Sequence, residues 1–412
     1  MARKKTPRTT NPASAGDGRY FAEPQSSAPD TTFQTPVTDS RYYAYLVKKA
    51  QPVPAPSRAP QMTLAEVVGS SVEKEISKNG HIVFHSVGDT GPVKGPESLN
   101  GVAERMVADF SDPAPDRPRF FYHLGDVVYN FGEPQYYYEQ FYDPFRDYPA
   151  PIFAIPGNHD GMVYQQDQFQ SLQAYLAQFC AASPVHPSEA GGLVRTAMTQ
   201  PGVYFTLEAP FATIIGLYSN VLENPGVIST EGGRFPQIGD DQKTFLVSEL
   251  KRVKTNPGAV LLAMHHPPYS GDTTHGGSPN MLNDIDECIA AAGFAPDAVL
   301  SGHAHLYQRF TRTSNNRQTP YIVAGSGGHA LQKLRPSSTA VRVRTPAPSA
   351  AGDVVMEKYL SIYGYLRITA SADTLMIEFH EGDAGAGKSP LDRVMVNLKT
   401  HQISGNPMLP SA

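Results

Sequence analysis

Residues 153–161 read FAIPGNHDG. Phe153, Ala154 and Ile155 end a short apolar run that starts at Pro151, of a length that suits a buried strand. Pro156-Gly157 breaks the run. The next three positions go to Asn158, His159 and Asp160. An amide, an imidazole and a carboxylate in succession make a poor strand and an unusual turn. At the carboxyl end of a strand in an α/β sheet, however, such side chains stand where ligands bind.

The same grammar recurs along the chain. The apolar run HIVFHSV (81–87) leads into SVGDTG (86–91), and RFFYHL (119–124) into LGDVVYN (124–130). AVLLAM (259–264) leads into MHHPPY (264–269), and AVLS (298–301) into SGHAH (301–305). Further runs are YFTLEAPFATIIGLYS (204–219) and YIVAG (321–325). Helical patterns lie between them. DDQKTFLVSELKRVK (240–254) starts with acids, ends with bases and carries Phe245, Leu246, Leu250 and Val253 on one side. NMLNDIDECIAAAG (280–293) stops on a glycine. Strands alternating with helices specify a layered α/β fold. YLRITA (365–370) and TLMIEF (374–379) alternate with period two across Ser-Ala-Asp and read as a hairpin. Five polar clusters on five strand ends would then meet at one sheet edge and wall a single site.

Composition narrows the class. The 412 residues are 40% hydrophobic and 10% aromatic, enough to bury a substantial core. A net charge of -5 gives no electrostatic reason to bind nucleic acid or an anionic membrane. A phosphate-bearing substrate therefore needs local positive charge, such as metal ions. The two cysteines, Cys180 and Cys288, match no zinc spacing and form no disulfide framework. No apolar run reaches the ~18 residues of a membrane span, and the basic N-terminus has no apolar stretch of a secretory signal, so a cytoplasmic protein is expected.

Residues 1–62, rich in Pro, Ser, Thr and Ala, read as a disordered tail, 63–400 as one domain and 401–412 as a C-terminal tail. Thr63 and Glu66 form a capping box for a helix through about residue 77. Residues 335–352 read as a surface loop. The run YYYEQFYDPFRDY (136–148) reads as an amphipathic helix packed on the sheet, with a stacking platform for an aromatic leaving group as the alternative.

The strand-end clusters contain Asp89, Asp126, Tyr129, Asn158, His265, His303 and His305. Oxygen and imidazole donors without thiolate suit iron, manganese or zinc. Asp126 and Tyr129 are three apart, within one turn's reach. His303 and His305 are two apart and point the same way on an extended segment. They can serve two adjacent ions only if the backbone curls between them. YIVAGSGGHA (321–330) formally matches the dinucleotide fingerprint, but Pro336 interrupts any following helix and no acidic residue ends a second strand about 20 residues on. It reads as a tight glycine loop beside the metal site. His329 within it is assigned no role, and His266 is expected to point away.

The ordered blocks Gly-Asp-Thr-Gly, Gly-Asp-Val-Val-Tyr, Gly-Asn-His-Asp, Leu-Ala-Met-His and Gly-His-Ala-His resemble those of the calcineurin-like metallophosphoesterases, and most of all their purple acid phosphatase branch. The likeness covers roughly residues 81 to 379. The wider superfamily begins with Asp-x-His, whose His is a ligand. This chain has Gly91 there and Tyr129 instead, the pattern of the purple branch.

The resemblance implies a four-layer α/β/β/α sandwich with two mixed sheets. It implies two ions bridged by Asp126: one held by Asp89, Asp126, Tyr129 and His305, the other by Asp126, Asn158, His265 and His303. The anionic first set favours Fe(III), and the neutral donors of the second favour divalent Fe, Zn or Mn. His159 would contact the phosphoryl group, paired with Asp160, and His275 would be a second substrate-side histidine. Either could protonate the departing alkoxide. The expected reaction is hydrolysis of small phosphate monoesters by in-line attack of a metal-bound hydroxide. A phosphodiesterase on the same core and a non-catalytic scaffold of this fold are the alternatives.

Overall fold

The computed structural model describes residues 52–92, 95–129, 131–162, 170–222, 226–272, 274–334, 353–383 and 385–404. The strands among them are β1 (Gln61–Thr63), β2 (His81–Val87), β3 (Phe121–His123), β4 (Ile152–Ala154), β5 (Phe205–Ala209), β6 (Ala212–Gly216), β7 (Ala259–Met264) and β8 (Ala298–Ser301). They continue with β9 (Tyr307–Ser314), β10 (Arg317–Ala324), β11 (Asp353–Leu360), β12 (Gly364–Ser371), β13 (Thr374–Glu381), β14 (Asp392–Asn397) and β15 (Gln402–Ser404). One sheet has the order β1-β5-β6-β7-β8-β10-β9-β11, the other β15-β14-β13-β12-β2-β3-β4. Both are mixed. β6, β7, β8 and β10 run parallel in the first, and β2, β3 and β4 in the second.

The two sheets stack because the strands alternate. Leu261 and Ala263 of β7 face the core between the sheets, with Phe84, Phe153, Leu300 and Ile368. Val260, Leu262 and Met264 face outward into a second core under the helices. A strand covered on both faces is apolar throughout, which is why β7 reads AVLLAM without a break. Helices Asp241–Val253 and Pro279–Ala292 cover the first sheet, and Glu97–Ala108 covers the second. The four-layer sandwich is thus the observed architecture, with two mixed sheets flanked by helices.

Local signals behave as their chemistry dictates, with three differences. The helix expected from Thr63 through about residue 77 is two helices, Ala65–Val68 and Ser70–Asn79, because Gly69 sits between them at φ 86°. Glu66 still accepts from the Thr63 N–H at 2.8 Å. The run 204–219 is a hairpin, β5 and β6, that turns at Phe211 with φ 67°. The aromatic run from Tyr136 holds a π-helical turn, Tyr138–Tyr142, and buries Tyr137, Phe141, Tyr142, Phe145 and Tyr148 against the outer core. Packing, rather than an exposed platform, occupies those rings.

Residues 1–51, 335–352 and 405–412 lie outside the described residues. The last part of the stretch assigned to the N-terminal tail is packed on the body. Ser57 N–H donates to Pro201 O at 2.8 Å, and Gln61–Thr63 pairs with β5. Gln402–Ser404, assigned to the C-terminal tail, pairs with β14. Backbone groups at a sheet edge gain hydrogen bonds there, whatever the composition beside them. No helix among the described residues is long and apolar enough to cross a membrane.

Candidate metal centre

The carboxyl ends of β2, β3 and β4 in one sheet and of β7, β8 and β10 in the other open on the same edge of the sandwich. The loops leaving them are laced by backbone hydrogen bonds. Asp89 N–H donates to Gly125 O at 2.9 Å, Gly302 N–H to His265 O at 3.0 Å, and Gly327 N–H to Gly88 O at 3.1 Å. Three candidate ligands adopt left-handed backbone: Asp89 at φ 57°, Asp126 at φ 54° and His303 at φ 69°. For residues other than glycine such a conformation costs on the order of 1–3 kcal/mol and persists only when surroundings enforce it. Side chain to backbone bonds do so here. Asp89 Oδ2 accepts from the His303 N–H at 2.8 Å, and Asp126 Oδ1 from the His159 N–H at 2.9 Å. Gly125, at φ 95°, needs its missing Cβ, which would lie 2.6 Å from Gly157 N and 2.7 Å from His265 Nδ1.

The structure brings all seven sequence-derived candidates together in two adjoining groups. In the first, the Tyr129 hydroxyl is 3.0 Å from Asp89 Oδ1 and 3.2 Å from His305 Nε2. His305 Nε2 is 3.4 Å from the same carboxylate oxygen. In the second, His303 Nδ1 is 3.1 Å from Asn158 Oδ1, and His265 Nε2 is 3.2 Å from Asp126 Oδ2. Donor atoms of Asp126, His265 and His303 all lie within 4.8 Å of one another. His265 Nε2 is 3.9 Å from Asp89 Oδ1, so the groups share a border.

His303 and His305 reach different groups although an extended segment would send them the same way. The backbone curls twice. Ala304 N–H bonds to Gly302 O at 2.8 Å around His303, and Leu306 N–H to Ala304 O at 2.7 Å around His305. Two successive γ-turns, the first of positive φ, split the pair.

The donor set fits metal ions. His265 Nδ1 donates to Leu124 O at 2.8 Å and His305 Nδ1 to Ala330 O at 3.0 Å, so each turns its Nε2 into the cluster, where a metal ion would replace any proton on it. Asp126 Oδ2 and His265 Nε2 are buried and have no hydrogen-bond partner. Such orphans cost about 1–3 kcal/mol each unless something else satisfies them. Burial pushes His265 down, but Asp126 and Asp89 outweigh it and hold its pKa up at about 9. Burial, then Asp126 and Asp89, push the Tyr129 phenol well above its ordinary range. Both shifts express the same demand for positive charge at this spot.

His159 and His275, half-buried, flank the cluster. The His159 ring lies 4.4 Å from that of Tyr129. Its expected partner Asp160 turns instead to backbone, accepting from Gly157, Val127 and Val128 N–H at 2.8, 3.0 and 3.2 Å. Burial, with Asp126 nearby, pushes Asp160 up to about 7. The His275 ring is 4.1 Å from that of His303. Asp272 holds its loop by accepting from the Thr274, His275 and Gly276 N–H groups. His266 points away, to Ser219 Oγ at 2.7 Å and to the Leu222 carbonyl.

The loop after β10 contributes residues that sequence reading missed. His329 stacks on Tyr129. Gln332 accepts from the His305 N–H at 3.2 Å, which orients its amide, and its NH2 meets His275 Nε2 at 2.8 Å. That nitrogen is therefore an acceptor, and the proton of a neutral His275 sits on Nδ1. The sequence placed this glycine loop beside the metal site but assigned no role to its side chains.

The family model for calcineurin-like phosphoesterases matches residues 84–307, just over half of the chain. Among curated proteins, purple acid phosphatase 22 of Arabidopsis thaliana is 35% identical over 108 residues, 24% of each chain. Purple acid phosphatase 21 of the same plant is 25% identical over 216 residues, 48% of this chain and 49% of that one. The chain thus spans about half the length, or less, of the curated relatives it matches. Of solved structures, purple acid phosphatase PPD1 from yellow lupin superposes with a TM-score of 0.52 at 14% identity, over 85% of this chain and 56% of the other. GAP50, the anchor in the inner membrane complex of Plasmodium, gives 0.54 at 16% identity, over 77% and 89%.

Proposed function

The chain belongs to the calcineurin-like phosphoesterase family, and from that premise we propose that it is a phosphoric ester hydrolase acting on small phosphate monoesters through two metal ions. The observation that carries the reading is the convergence of seven donors into two groups that border at His265 and Asp89, with Asp126 beside His265. Asp89, Asp126, Tyr129 and His305 would hold a trivalent iron, since carboxylate and phenol oxygens are hard and anionic. Asp126, Asn158, His265 and His303 would hold a divalent Fe, Zn or Mn. Bound there, the ions would supply Lewis acidity and a water that ionises near neutral pH.

The protein's own groups do the rest. The Leu124 and Ala330 carbonyls fix the tautomers of His265 and His305, so no reorganisation is needed when charge develops. Asp126 Oδ1 is held by the His159 N–H, which leaves Oδ2 to the cluster. His159 and His275, on the more open side, would neutralise phosphoryl oxygens and deliver a proton to the departing alkoxide. Gln332 keeps His275 turned toward the cluster.

A scaffold reading has a fold neighbour whose name describes an anchor, but every ligand position here carries a competent donor. Metal analysis with a visible spectrum, and assays on p-nitrophenyl phosphate and its bis-ester, test the proposal. It expects iron, a tyrosinate absorption and faster monoester turnover. Preference for the bis-ester by an iron-free protein would refute it.

A further inference from the structure

We propose that His329 is a positioning residue that, with Gly91 and His159, builds the slot holding the Tyr129 ring and so decides that this site offers a phenol oxygen to a metal ion. The inference rests on the reading of Tyr129 as a ligand.

The Tyr129 ring has two imidazoles against it. His329 stacks at 3.8 Å between centroids with planes 9° apart, and His159 lies at 4.4 Å, tilted 40°. Both imidazoles are therefore in packing contact with the Tyr129 ring, His329 lying flat on it. His329 is itself pinned. Its Nδ1 is 3.0 Å from Gly91 O, its N–H donates to Asp89 O at 2.9 Å, and its ring meets His305 edge-on at 4.7 Å. A carbonyl only accepts, so Nδ1 carries the proton.

Gly91 forms the edge of the slot. A Cβ there would lie 3.0 Å from Tyr129 Cδ2 and 2.5 Å from Gln140 Oε1. A side chain at 91 would press on the Tyr129 ring and displace the Gln140 amide that holds its backbone. Gln140 grips the Tyr129 backbone from both sides, accepting from its N–H at 2.8 Å and donating to its C=O at 3.0 Å. The Tyr129 backbone is therefore held by Gln140 and its ring is packed by two imidazoles and Gly91, while the hydroxyl meets Asp89 and His305. His329 is hydrogen-bonded to the very residue whose missing side chain makes room for the ring. The glycine loop after β10 thus works as the outer wall of the slot.

The test uses the full chain freed of metal and titrated with ferric citrate, for wild type, His329→Ala, His329→Phe and Tyr129→Phe. The readouts are iron bound per chain and the tyrosinate absorption. Removing a supporting group of a ligand typically weakens metal affinity about 10–100-fold, so that loss is expected for His329→Ala, with a weaker and shifted band. His329→Phe keeps a flat ring on Tyr129 but not the bond to Gly91. It should bind iron between the two, and it carries the test if the alanine variant does not fold. Wild-type iron affinity and an unshifted band in both His329 variants would overturn the proposal. A wild type that takes up iron with no tyrosinate band, matched by Tyr129→Phe, would instead show that Tyr129 is not a ligand, and the proposal would fall with that reading.

Discussion

At Asp89, Asp126 and His303 the chain holds left-handed backbone that few residues other than glycine adopt. Their identities were legible because each follows an apolar run and carries donor chemistry. Their conformations were not, since they depend on bonds from other loops, such as the His159 N–H to Asp126 and the His303 N–H to Asp89. The split of His303 from His305 was visible as a requirement but not as a mechanism; two γ-turns supply it. Gly125 is the residue where the tolerance is least. Gly125→Ala adds a Cβ at φ 95° into contact with Gly157 N and His265 Nδ1. It should destabilise the fold by about 1–3 kcal/mol, measured by urea unfolding, and lower the metal content of the purified protein.

The elements that were easiest to read from the sequence are those buried on both faces, β2, β7 and β8, and the helices Asp241–Val253 and Pro279–Ala292 with their charged or glycine ends. β9 escaped notice because it reads YQRFTRTS, with no apolar run. Its polar side chains have partners that only the folded sandwich provides. Arg309 forms two bonds to Asp392, at 2.6 and 3.1 Å, and Tyr307 donates to the same carboxylate at 2.8 Å. These bonds tie β9 of one sheet to β14 of the other. Asp392→Ala removes the hydrogen-bonded counter-charge of the buried Arg309, so a loss of about 3–5 kcal/mol is expected in chemical denaturation. A loss within experimental error would mean that this buried ion pair does not help to join the two sheets.

For the whole molecule, stacking two sheets brings six strand ends to one rim, and the site is the consequence. Sequence reading placed five of these clusters on one edge of a sheet. The site needs the shared edge of two, because no single parallel segment here has enough strand ends to surround two ions. Global stability should also depend on pH away from that rim. His85 is fully buried, 3.0 Å from Asp109 and 3.1 Å from the Tyr148 hydroxyl. Burial lowers its pKa below 6.5 despite Asp109, and Asp109, which burial alone would raise, is held down to about 2 by His85 and Arg367. Both folded pKa values lie below the unfolded ones, so the unfolded chain takes up protons first as pH falls. The stability that this pair contributes is then full above about pH 6.5 and declines below it, first through His85 and then, between about 3.8 and 2, through Asp109. One proton contributes at most about 1.4 kcal/mol per pH unit. Urea unfolding of the metal-free protein between pH 6.5 and 4.5 should show a shallower decline for His85→Gln than for wild type; parallel slopes would contradict this.

The central claim is that Asp126 is shared by two bound cations. The most direct measurement is metal content per chain, with turnover of p-nitrophenyl phosphate, in wild type and in Asp126→Asn, which keeps the side chain's shape and removes its charge. The account predicts about two ions per wild-type chain, loss of at least one of them in the variant, and a fall in kcat/KM of at least about 100-fold. A variant that keeps both ions and wild-type turnover would contradict it.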